Sequence, residues 1–158
     1  MKKLDNVEVK EMIEKIQNQF SAKIDFTGYV LYETDKGKLY LCTSEFESIE
    51  KELRANTTSF GIYFASIDEK GSIRLSIEGS QIIFPHTKHN IFYANEKQVE
   101  KWIRGFEIEN LEGKTELTPN FVLIADKEGD CFGCGKFTGS KILNFVKKTR
   151  RVLNLKEP

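Results

Sequence analysis

Val9, Met12, Ile13, Ile16 and Phe20 are apolar and recur with charged residues between them. This three-to-four spacing marks one face of a helix over about Asn6–Phe20. Asp5 or Asn6 can cap its first turn. The pattern then shortens. Gly28 to Tyr32 reads as a strand, Asp35–Gly37 as a turn, and Lys38 to Cys42 as the returning strand. Ser44 and Glu47 stand as an S-x-x-E capping box, which predicts a second helix with Phe46, Ile49 and Leu53 on its apolar face. Another strand runs from Ile62 to Ile67. A turn over Asp68–Gly71 leads to a return over Ser72–Ile77, with Ile73, Leu75 and Ile77 on one side. Short apolar pieces at Gln81–Phe84 and Asn90–Tyr93 come next. Asn95, with Gln98 three residues on, starts a third helix that places Val99, Trp102 and Ile103 inward and ends before Gly105. Phe106–Ile108 is extended, and 109–119 is a polar, turn-rich loop. A last hairpin, Phe121 to Phe137, turns at Lys127–Asp130.

Helices alternate with strands joined by tight turns, so the expected class is α+β with antiparallel pairing. Gly79, Pro85 and their polar neighbours form a seam. The expected division is an α+β module over 1–85 and a second unit over 86–158. No apolar run nears the ~20 residues of a membrane span, and the N-terminus lacks the apolar core of a secretory signal. Three cysteines are too few and too odd for a disulfide framework. A reducing, cytoplasmic setting without a membrane partner is the expectation.

The chain of 158 residues carries zero net charge, and that total hides an asymmetry. Residues 1–112 hold 15 Lys and Arg against 19 Asp and Glu, a balance of −4. Residues 113–158 hold 9 against 5, a balance of +4, with Lys147, Lys148, Arg150 and Arg151 crowded together. Polyanions respond to such a local field rather than to net charge. The cluster sits among Ile142, Leu143, Phe145, Val146, Val152, Leu153 and Leu155, an ordered pattern rather than a floppy end.

Three sets of residues could carry chemistry. Lys136, Lys141, Lys147, Lys148, Arg150 and Arg151 are candidate phosphate contacts, with Arg104 and Lys114 as further candidates, because cations displace condensed counterions from a nucleic-acid backbone. Gly133 and Gly135 either mark a bulge and close packing or let an RNA backbone approach the strand. Cys131 and Cys134, at C-x-x-C spacing, could join His86 and His89 in a tetrahedral zinc site, or exchange thiols. Against this, residues three apart in a strand face opposite ways unless a bulge intervenes. Neither histidine has a nucleophile and an acid beside it in sequence, so the residues suggest neither an enzyme nor a cofactor. An adaptor binding an acidic protein through the basic segment stays open beside the RNA and metal readings.

Two stretches resemble known families. Ser59, Phe60 and Gly61, followed by Gly71, Arg74 and Leu75, resemble the S-[L/F]-G strand and G-x-x-R-L strand of the Nip-type ribosome-biogenesis factors. Gly133 to Lys136, Ile142 to Phe145 and Lys148 to Arg151 resemble the RNA-binding tail of the Sun/Fmu-type RNA cytosine-5 methyltransferases. In those a G-x-G-K strand is followed by L-K/L-N-Y/F and a basic P-K-x-R-R segment; Trp102 to Gly105 resembles their W-x-R-G helix end. The resemblance spans roughly 59–155. It implies a pre-PUA-like module followed by a PUA-like β-barrel that binds structured RNA (tRNA or rRNA). The methyltransferase domain has no counterpart here. The implied role is therefore a stand-alone RNA-binding partner of an RNA-modification enzyme or ribosome-assembly factor.

Overall fold

Strand β7, Phe121–Ala125, is buried at every position, and its two faces belong to two different cores. The computed structural model describes residues 1–49, 60–112 and 116–153. Strands β1 (Lys2–Lys3), β2 (Tyr29–Glu33), β3 (Lys38–Thr43), β4 (Ile62–Ile67) and β5 (Ile73–Leu75) form one antiparallel sheet in chain order. Strands β6 (Ile91–Tyr93), β7, β8 (Cys131–Phe137) and β9 (Ile142–Asn144) form a second, ordered β6-β7-β8-β9. Helix α1 (Asn6–Phe20) precedes β2, α2 (Ile77–Ile83) follows β5, and α3 (Glu96–Ile103) lies between β6 and β7.

Alternation of side chains along each strand sorts the cores. Phe121, Leu123 and Ala125 pack with Met12, Ile16 and Phe20 of α1 and with Leu31, Leu39, Leu41 and Phe64 of the first sheet. Val122 and Ile124 face the other way, against Phe92, Trp102, Phe137, Ile142 and Val146. The second sheet is thus sandwiched between the α1 layer and α3. The boundary expected at 85/86 falls within a 3₁₀ turn, Phe84–His86, and the larger core is continuous across it.

The helix starts follow the capping logic. Asp5 accepts from the N–H groups of Val7 and Glu8 while Glu8 answers at the Asp5 N–H. Asn95 and Gln98 do the same for α3, and Gly105 takes the left-handed φ of 94° expected just past its end. The capping box expected at Ser44 is not used. Ser44–Ser48 is a 3₁₀ turn with Thr43 at its cap and no side-chain cap bond; Leu53 and Ser59 lie outside the described residues. The strand expected to reach Ile77 stops at Leu75. Ser76 instead accepts from the Gly79 N–H and opens α2, turning Ile77 into the second core. Helix α2 lies so close to β4 that a Cβ on Gly79 would stand 2.0 Å from the Phe64 carbonyl oxygen.

Pairing is not antiparallel throughout: β6 and β7 run parallel, joined by the α3 crossover. The second unit, expected as a barrel, is a mixed four-stranded sheet extended by a single bridge between Ile108 and Ile142, with no closed barrel among the described residues. No helix among the described residues is long and apolar enough to cross a membrane.

Candidate nucleic-acid interface

The glycine-spaced strand β8 faces inward. Register shifts between Ile124 and Ala125, so that Gly133 pairs with Ile124 and Cys131 with Ala125, leaving Phe132 as the extra residue of a bulge. Gly133 carries the φ of 120° that the bulge needs. The Trp102 indole N–H donates to the Phe132 carbonyl at 3.0 Å. A Cβ on Gly135 would come within 2.5 Å of Ile142 and 2.7 Å of the Trp102 ring. Both glycines are buried. The missing side chain of Gly135 makes room for Trp102 and Ile142, and Gly133 serves the positive φ of the bulge.

The bulge also puts Cys131 and Cys134 on the same side, in the larger core, which corrects the opposite-face expectation. Burial pushes the Cys131 thiol up to about 11 and the Cys134 thiol up to about 12. Both are neutral near pH 7, whereas thiol exchange uses the thiolate. His86 is exposed and His89 half-buried. Among the described residues no group of three or more His, Cys, Asp or Glu side chains is placed to hold a metal ion.

The basic segment after β9 is pinned, not loose. Asn144 donates to the carbonyls of Trp102 at 2.8 Å and Phe106 at 2.9 Å, and accepts from the Val146 N–H. The Val152 N–H donates to the Ile103 carbonyl. Arg151 lies over Gly105, where a Cβ would meet its Nε at 2.3 Å, and donates from Nε to the Val146 carbonyl at 3.0 Å.

So held, the segment runs along the outer face of the first sheet. Leu39, Leu41, Phe64, Ile73 and Leu75 point into the core, so Tyr40, Tyr63, Ser66 and Arg74 point out. Register aligns Tyr40 with Tyr63, and Lys38 with Ser66 and Arg74. The two tyrosine rings stand 5.6 Å apart. The Lys147 ammonium lies 5.0 Å from the Tyr63 ring centre. The Arg74 guanidinium lies 4.9 Å from that of Phe145 and bonds Ser66 Oγ at 3.2 Å. Phe145 meets Phe121 edge-to-face at 6.0 Å, and Lys136 reaches over Phe121 at 5.4 Å. Arg150 pairs with Glu78 at 2.7 Å. Burial would raise the Glu78 carboxyl, but the Arg150 hydrogen bond and charge hold it below the usual carboxylate range.

The result is a strip spanning both sheets, in which Arg74, Lys136 and Lys147 stand against the rings of Phe145, Phe121 and Tyr63, with Tyr40 and Arg150 beside them. The cleft beneath it has a volume of about 140 Å³, well under the ~300–1,000 Å³ of small-molecule pockets. The feature is a surface rather than a pocket. The C-terminal ends of β6 and β7 border a separate groove that carries Glu96, Glu112, Asp126 and Glu128 together with Lys127.

Of the expected cations, Lys136, Lys147 and Arg150 join the strip, and Lys148 stands exposed in the adjoining 3₁₀ turn. Lys141 lies at the other end of β9, paired with Glu107 at 2.8 Å. Arg104 lies over Phe106. Lys114 is outside the described residues. Sequence reasoning missed Tyr40, Tyr63, Phe145 and Arg74 as site residues. Their signal was the alternation itself, which sets an aromatic or a cation between inward-facing aliphatics. No protein-family model matches the chain, and none of the curated proteins does.

Proposed function

We propose that the protein binds structured RNA, tRNA or rRNA, without catalysing a reaction on it. In this reading it serves ribosome biogenesis or RNA modification in the cytoplasm, as the stand-alone partner of an RNA-modifying enzyme or assembly factor. The observation that carries the reading is the strip: four cations interleaved with aromatic rings on an outward face, anchored to α3 by Asn144. Cations supply sequence-independent attraction to phosphate. Arg can also grip a phosphate with two parallel bonds. The resemblance of the Gly133–Arg151 stretch to RNA-binding tails supports the same reading.

The test is a gel shift with tRNA and rRNA fragments over a salt series. If about four phosphates are neutralised, log affinity falls against log salt with a slope of about −3 to −4. Absence of binding at low salt removes the proposal.

A further inference from the structure

Resting on that reading, we infer that the ligand is a single-stranded RNA segment whose bases stack on the tyrosine row of the first sheet, not a duplex gripped by its backbone. Phosphate attraction alone needs cations; it has no use for aromatic rings. Here every cation of the strip other than Arg150 stands against a ring. Tyr40 and Tyr63 sit side by side on adjacent strands, half-buried, and present their rings on the outer face. Phe145, at 37% exposure, is held open beside them although it is a large apolar side chain.

The second row lies parallel to the first. Lys38, Ser66 and Arg74 run across β3, β4 and β5 next to Tyr40 and Tyr63. A platform of rings flanked by the cations Lys38 and Arg74 matches a single strand, in which bases lie on one side and the sugar-phosphate chain on the other. Base-on-aromatic stacking of this kind is tolerant of sequence because every base has a π-face. An A-form duplex hides its base faces inside the stack and offers only grooves and backbone. In the free protein the Lys147 ammonium occupies the Tyr63 ring face. A base stacking there displaces it toward the neighbouring phosphate, so one movement exchanges a cation–π contact for a charge-assisted bond. The groove at the ends of β6 and β7, with Glu96, Glu112, Asp126 and Glu128 against Lys127, is acidic and disfavours a polyanion there. In a folded tRNA or rRNA the segment would be a loop or a bulge.

The experiment compares three probes by fluorescence anisotropy at fixed low salt: a single-stranded 12-mer RNA, a blunt RNA duplex of that sequence, and the 12-mer with central abasic sites. The single strand should bind at least tenfold more tightly than either of the others. Tyr63→Leu should lower single-strand affinity by roughly 5- to 150-fold, the range of one lost stacking contact, while leaving the salt slope unchanged. Tyr63→Phe, which keeps the ring, should bind like the parent, and Phe145→Leu should weaken binding in the same sense as Tyr63→Leu. Circular dichroism checks that each variant is folded. Equal binding of duplex or abasic RNA, or an unchanged Tyr63→Leu together with an unchanged Phe145→Leu, overturns stacking while leaving RNA binding itself in place. Failure of all three probes and of whole tRNA at low salt overturns both.

Discussion

The outer face of the first sheet has two halves built from the same residue types. Toward β2, Val30, Tyr32 and Cys42 are buried beneath Phe46 and Phe60, whose rings stack at 4.6 Å while Phe60 meets Tyr32 edge-on at 4.7 Å. Toward β4 and β5, Tyr63 has the Lys147 ammonium over it instead of a lid, with Tyr40 beside it. Tyr32, Tyr40 and Tyr63 lie in one cross-strand row. What separates the first from the other two is its cover. The lesson is that an aromatic on a sheet face is assigned a role by what lies over it. Under other rings it is core; under ammonium and guanidinium groups it is available to a ligand.

The largest expected effect tests that division. Tyr32→Ala should cost about 3–5 kcal/mol of unfolding free energy, the usual range for emptying a buried aromatic site. Tyr63→Leu should cost under about 1 kcal/mol. Urea denaturation of the two variants decides it, and equal losses would erase the distinction between the halves. Gly135→Ala comes next. The methyl group has no room between Ile142 and Trp102, and overpacking of this kind costs about 1–3 kcal/mol. The same melts should show the loss with RNA affinity retained by the folded fraction; a neutral change would return β8 to the list of RNA-facing elements.

Much of the fold was legible because α1, α3 and the β7–β8 hairpin are set locally by capping residues, periodicity and turn chemistry. The end of β5 failed for a tertiary reason. Ser76 beside Gly79 makes a cap only because Gly79 lets α2 approach Phe64, and a strand pattern cannot reveal that. The basic cluster was visible in the sequence, but its partners were not. Arg74 and Phe145 are distant in the chain, and only register and the Asn144 anchor bring them together. The bulge at Phe132 had the same effect on the cysteines: one extra residue moved Cys131 to the side that spacing denied it.

Smaller effects sharpen the contrast further. Lys147→Ala and Arg150→Ala should each reduce the salt slope of RNA binding by about 1, while Lys141→Ala, paired with Glu107 away from the strip, should leave it unchanged. A loss at Lys141 as large as at Lys147 would mean that general charge, not the strip, binds RNA. The cysteines predict a pH dependence. Their folded-state values, raised to about 11 and about 12, exceed those of an unfolded chain at about 8.5. Above that pH the unfolded state therefore binds fewer protons than the folded state. The stability from keeping both thiols neutral is intact below about pH 8.5 and is lost as pH rises through 11 to 12. Denaturation at pH 8 and pH 10.5 should show the fall, and Cys131→Ser/Cys134→Ser should flatten it. The smallest effect is Glu78→Gln. Freeing Arg150 from its half-buried carboxylate should raise RNA affinity by no more than about fivefold, the worth of a surface ion pair; a decrease would make Glu78 a positioning partner instead of a competitor.

Asn144 has a kinetic consequence. By tying two carbonyls of the α3 end to the start of the basic segment, it removes much of the wandering that a terminal polybasic stretch would have to give up on docking. Binding by an unanchored tail would carry an ordering cost in every encounter. Here that cost is met during folding, so stopped-flow association should be limited by electrostatic steering and diffusion.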